Sequence, residues 1–121
     1  MNFYIKKNSE LPLLTMELIF DGRNDFRNFY ELIQNADITF SMFNPENNIK
    51  KISCRPAEIV KKIIPCEDLT SREEYYIVYK WRKKDTKEPG TFIGEFTINF
   101  LDGMGTLVTP IQEKLFIHVI N

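Results

Sequence analysis

The stretch Phe92-Ile93-Gly94-Glu95-Phe96-Thr97-Ile98-Asn99-Phe100 decides the fold class. Phe92, Gly94, Phe96, Ile98 and Phe100 take the even positions, and Glu95, Thr97 and Asn99 lie among the odd ones. A β-strand sends successive side chains to opposite faces, so this alternation describes a strand with one buried and one wet face. Asp102-Gly103 follows as a hairpin turn signal, with extended candidates at residues 105–109 and 115–120 beyond it.

The same period runs upstream. Ile38, Phe40 and Met42 alternate with Thr39 and Ser41, then stop at the turn-forming cluster Asn44-Pro45-Glu46-Asn47-Asn48. Residues 49–54 and 57–64 are the next extended candidates, with Arg55-Pro56 between them and Pro65 closing the second. Proline cannot donate a ladder hydrogen bond, so Pro56 suits a strand edge or break. Tyr75, Ile77, Tyr79 and Trp81 share one face of a strand over residues 74–82, with Tyr76 and Val78 on the other. Residues 13–20 supply an early strand ending at Asp21-Gly22. One segment departs from period two: in residues 25–34, Phe26, Phe29, Tyr30 and Ile33 fall at helical spacing, with Asn24 or Asp25 as the cap.

Seven or eight short strands with turn signals every ~8–12 residues predict an all-β chain. The expected architecture is a single immunoglobulin-like antiparallel β-sandwich domain over residues 1–121 with one short helix. A small barrel is the competing arrangement. Composition leans the same way, with ten Phe, five Tyr and fifteen Ile against two Ala, although an AT-rich genome would produce a similar bias. At this size roughly two-thirds of the surface is buried on folding, enough for one core.

Charge narrows the function classes. Sixteen Lys and Arg balance 17 Asp and Glu for a net charge of −1, whereas a domain gripping phosphate backbones should be basic. No run approaches the ~20 apolar residues that span a bilayer. The stretch at residues 11–20 contains Pro12 and Glu17 and has no cleavage pattern, so it does not read as a signal peptide. Cys54 and Cys66 make no disulfide framework; they are read as reduced, mostly buried thiols, with a bridge between strand ends as the alternative.

Chemistry-bearing patterns are missing from the sequence. His118 is the single histidine and lies in a strand with parity opposite to its apolar neighbours, so it reads as solvent-facing or on an edge. Without a second histidine or a CxxC spacing, no metal site is expected. The glycines form neither GxGxxG nor a Walker loop, and nothing recognisable flanks the four serines. Glu67 with Asp68 and Glu73 with Glu74 read as solvated charges. The expectation is a non-enzymatic protein with no cofactor and no small-molecule ligand. The run YYIVYKWRKK, residues 75–84, interleaves aromatics with cations, as single-strand binders do, but strand alternation places the odd aromatics in the core. A glycan platform built on Tyr76 is the other reading of this run.

The run WRKKDTKEPGTFIGEFTINFLDG, residues 81–103, resembles a motif of small bacteriophage structural proteins. Trp81, Asp85-Thr86, the Pro89-Gly90 turn leading to Phe92, the Glu95-Phe96 strand and the Asp-Gly hairpin carry the likeness. Upstream, ADITFSM and RPAEIV are similar to other parts of the same family, as are Thr109-Pro110 and the last apolar strand downstream. The family is the amino-terminal domain of phage upper baseplate proteins and its free-standing immunoglobulin-like relatives. The resemblance covers about two-thirds of the chain and implies a virion structural protein of the tail, baseplate or capsid. Such a protein is made in the host cytoplasm, contacts other virion proteins in many copies, and has no membrane or nucleic-acid partner. Trp81, Asp85, Thr86, Pro89, Gly90, Phe92, Glu95 and Phe96 are then structural positions. The chain departs from the family at the helical stripe and in residues 67–74. Partner contacts are expected there, from Phe26, Phe29, Tyr30, Glu67 and Asp68.

Overall fold

The computed structural model describes residues 1–17, 33–65, 67–68, 71–103, 105–110 and 113–121. Nine strands run through them: β1 (Asn2–Lys6), β2 (Leu14–Glu17), β3 (Asp37–Phe43), β4 (Lys50–Pro56), β5 (Glu58–Pro65), β6 (Ser71–Tyr79), β7 (Gly90–Phe100), β8 (Gly105–Thr109) and β9 (Leu115–Ile120). A six-stranded sheet has the order β1-β9-β7-β3-β4, with β8 also on β7, and a three-stranded sheet has the order β2-β6-β5. The fold is the all-β sandwich that the alternation predicts. Every pairing is antiparallel except β1 with β9, which is parallel.

Strand β7 is the spine of the larger sheet. One edge of it pairs with β3, from Asp37↔Asn99 to Phe43↔Ile93. The other edge takes β9 along Gly90 to Gly94 and β8 along Phe96 to Phe100. Phe92, Phe96 and Ile98 are buried as their parity requires, and Phe40 and Met42 of β3 are fully buried beside them. Gly94 lets the Phe40 ring approach: a Cβ there would lie 2.9 and 3.0 Å from two Phe40 ring carbons. Phe40 in turn meets Phe96 at 5.0 Å, Tyr79 at 4.6 Å and Trp81 edge-on at 5.8 Å between ring centroids. These offset and T-shaped geometries are favoured by the ring quadrupoles.

Local chemistry explains the punctuation. Asn44 Oδ1 accepts from the Glu46 N–H and Asn47 Oδ1 from the Ile49 N–H, so the Asn-rich stretch is a pair of Asx turns. Asn48 closes it at φ +57°. On β4 the register slips opposite Ser41, where Cys54 adopts φ +49° in a bulge. The buried Ser41 hydroxyl accepts from the Cys54 N–H at 3.0 Å, which satisfies the backbone group the bulge frees. A single residue, Ala57, then separates β4 from β5, and its N–H bonds the Ile38 carbonyl. The chain therefore changes sheets at Pro56, which is the break its missing N–H favours.

Several expectations are corrected. Among the described residues the strand count is nine, because β1 also forms; its residues pair with a strand from the far end of the chain, which no hairpin signal announces. The strand expected over residues 74–82 starts at Ser71 and ends at Tyr79, leaving Trp81 buried but off the strand. Cys54 is a free thiol but exposed, since the bulge turns it outward; Cys66 lies outside the described residues. His118 faces outward on β9, yet β9 is an inner strand because β1 flanks it. Within the helical stripe, Ile33 is helical and fully buried. Phe26, Phe29 and Tyr30 lie outside the described residues, as does the strand expected beyond Glu17.

Candidate functional site

Three residues behind the resemblance, Trp81, Asp85 and Thr86, lie at the turn that follows β6. After Tyr79 the chain runs through Lys80 and Trp81 into a 3-10 turn over Lys83–Thr86. Asp85, 4 % exposed, is its organising group. Its Oδ2 accepts from the Tyr79 hydroxyl at 2.7 Å and from the Arg82 N–H at 2.8 Å. Its Oδ1 accepts from Arg82 Nη2 at 2.8 Å, closing a side-chain ion pair. Burial alone would raise the Asp85 carboxyl, but the hydrogen bonds from the Arg82 side chain and backbone and from Tyr79 hold it below the usual carboxylate range. Burial and the Asp85 bond push the Tyr79 hydroxyl up to about 12.

Thr86 latches this turn to a distant segment. Its hydroxyl donates to the Ser9 carbonyl at 2.9 Å, and its own carbonyl accepts from the Asn8 N–H at 2.9 Å. The β1–β2 connection is thereby tied to the end of β6. Trp81 packs on Phe3 of β1, on Phe40 and on Tyr79. Phe96 is reached through Phe40. Gly90 opens β7 after Pro89, Phe92 is 5 % exposed, and Glu95 sits half-buried on the outer face opposite Ser41. The structure thus brings Trp81, Asp85, Thr86 and Phe96 into one packed unit.

Most of the aromatics in residues 75–84 are turned into the core. Tyr75, Tyr79 and Trp81 are buried. Tyr76, the glycan candidate, has Lys62 Nζ over its ring at 4.8 Å and donates its hydroxyl to Glu74 at 2.6 Å. Both the ring face and the polar tip are therefore occupied.

The remaining candidates are surface features. Glu67 and Asp68 are exposed in the turn joining β5 to β6. The distal part of this hairpin exposes Ile63 to 64 %. His118 sits between Thr91 Oγ1 at 3.1 Å and Asn2 Oδ1 at 2.9 Å, with Tyr4 stacked on its ring at 4.6 Å. Sequence reasoning missed this cluster and also the Tyr79–Asp85 bond. The one available signal for the bond was an aromatic-rich strand followed by a capping Asp. Among the described residues no group of three or more His, Cys, Asp or Glu could hold a metal ion, and no described helix is long and apolar enough to cross a membrane. No protein-family model matches the chain, and no curated protein or solved structure is significantly similar to it.

Proposed function

We propose that this chain is a non-enzymatic bacteriophage virion protein, an adaptor or decoration module of the tail, baseplate or capsid that works through protein–protein contacts. The observation carrying the reading is that the polar residues of the resemblance serve the fold. Asp85 is consumed by Tyr79 and Arg82, and Thr86 by Ser9, so neither projects towards a substrate. Function then belongs to the surface. Exposed strand edges and the acidic Glu67-Asp68 turn are the means of contact the fold offers. A net charge of −1 lets many copies crowd together without strong repulsion.

The test is mass spectrometry of purified particles, followed by cryo-electron microscopy to locate the density. The protein should be found in mature virions at a fixed copy number. Its absence from particles, with the protein free in the infected cytoplasm, overturns the reading.

A further inference from the structure

Among the described residues five strands are edges: β4 and β1 bound the larger sheet, β8 hangs on β7, and β2 and β5 bound the smaller one. An open edge presents unpaired N–H and C=O groups, and proteins blunt it with bulges, prolines, charges or brevity. Four of the five carry such devices. β4 has the Cys54 bulge, Lys50, Lys51 and a terminal Pro56. β5 carries Lys61 and Lys62 and ends in Pro65. β2 is four residues long and ends in Glu17, and β8 runs from Gly105 into Pro110. β1 reads Asn2-Phe3-Tyr4-Ile5-Lys6, with no proline, glycine or bulge and no charge before its last residue.

The ladder fixes what β1 presents. The Phe116 N–H bonds the Met1 carbonyl, and the Lys7 N–H bonds the Ile120 carbonyl. In a parallel ladder alternate residues turn their backbone groups towards the neighbour, so Phe3 and Ile5 also face β9. The N–H and C=O groups of Asn2, Tyr4 and Lys6 consequently point away from the sheet.

We infer that two copies of this chain associate by antiparallel pairing of β1 with β1, on a two-fold axis through Tyr4. That register is the one in which Asn2, Tyr4 and Lys6 all stand opposite a partner residue. Tyr4 exchanges both backbone hydrogen bonds with the partner's Tyr4, and each Lys6 N–H donates to the partner's Asn2 carbonyl, for four bonds by ladder geometry; the Lys6 carbonyl already accepts from the Ser9 N–H of its own chain at 3.1 Å. Within β1 no like charges face each other, whereas a two-fold pairing about the middle of β5 would set Lys61 or Lys62 against its own copy. The Tyr4 ring, 59 % exposed and already stacked on His118, would meet its symmetry mate on the outer face, so that four rings line up across the axis. The two larger sheets would become one continuous sheet. This pairing stands whether or not the chain belongs to a virion. An edge contact of five residues is smaller than a standard ~1,600 Å² interface, so the association is weak and concentration-dependent.

Sedimentation equilibrium on the intact chain, up to about 1 mM, tests it. The average mass should rise from 14.3 kDa towards twice that value. Tyr4→Lys and Tyr4→Glu should each weaken association about tenfold or more, because each sets like charges on the axis. An equimolar mixture of the two should recover a heterodimer, which excludes misfolding as the cause. Val108→Lys, on the exposed edge of β8, should leave association unchanged. In the wild type, hydrogen exchange of the Tyr4 and Lys6 amides should slow as concentration rises. A chain that stays monomeric, Tyr4 variants that associate like wild type, or a Val108→Lys variant that abolishes the dimer would each overturn the inference.

Discussion

The two halves of the β5–β6 hairpin obey the same alternation and meet opposite fates. Near its base, Ile77 and Tyr79 of β6 are at most 1 % exposed; Met16 flanks Ile77 in the same sheet, and Phe40 meets Tyr79 from across the sandwich. Further along the same face, Lys61 is exposed and Ile63 is 64 % exposed, although Lys61 pairs with Tyr75 and Ile63 with Glu73 in unbroken register. Parity decides which way a side chain points. Whether it is buried depends on a second layer standing opposite, and local pattern does not report that. The base is also fastened at the turn beyond Tyr79, by the Arg82–Asp85 ion pair and by the two bonds that tie Thr86 to Asn8 and Ser9.

The largest expected effect lies in that packed base. Asp85→Ala strands the Tyr79 hydroxyl and the Arg82 N–H, and should cost about 3–5 kcal/mol in a denaturant titration. Trp81 emission, blue-shifted in the native protein, provides the signal. A loss below about 1 kcal/mol would mean that the base is no better fastened than the distal half.

Alkaline titration comes next. The folded state holds the Tyr79 hydroxyl at about 12 against an ordinary 10.0. Its stabilising contribution is therefore complete below pH 10 and disappears as pH rises towards 12. The full difference is on the order of 3 kcal/mol. Ultraviolet difference spectra should show one tyrosine ionising late, together with unfolding, and Tyr79→Phe should abolish that component. Asp85 acts in the opposite direction. Its folded value is depressed from 3.8, so its contribution is present above that pH and is lost as acid carries the solution through the lower value.

Gly94→Ala sharpens the contrast at the spine of the larger sheet. The new methyl meets the Phe40 ring at 2.9 Å, and overpacking of this kind costs about 1–3 kcal/mol. Ile63→Thr should give the smallest effect, within about 0.5 kcal/mol, because the side chain already stands in water. A cost comparable to that of Gly94→Ala would show that something covers the distal half in solution.

Much of the sandwich was legible because strand parity is a local property. Ile38 to Met42 and Phe92 to Phe100 could be assigned to a face from neighbouring residues alone, and their burial followed. Strand β1 was not legible. Its partner β9 comes from the other end of the chain, and a parallel pairing leaves no turn between the two to read. The Tyr79–Asp85 bond was hidden for a related reason. It depends on the chain leaving β6 and folding back through a 3-10 turn, so six residues of separation carry no periodic signal. The contacts of Trp81, Asp85, Thr86 and Phe96 likewise came from geometry and not from local pattern.

The parallel pairing of β1 with β9 sets a timetable for biosynthesis. Phe3 aligns with Ile117, so β1 leaves the ribosome more than a hundred residues ahead of the strand that completes its ladder. At about 5–20 residues per second, that interval is on the order of ten seconds. Throughout it the apolar side of β1, Phe3 and Ile5, has no neighbouring strand to shelter it. The Asn8 and Ser9 latches to Thr86 become available earlier, since Thr86 is synthesised before any residue of β9. They give the nascent chain a way to park its first strand beside the turn until the last one arrives.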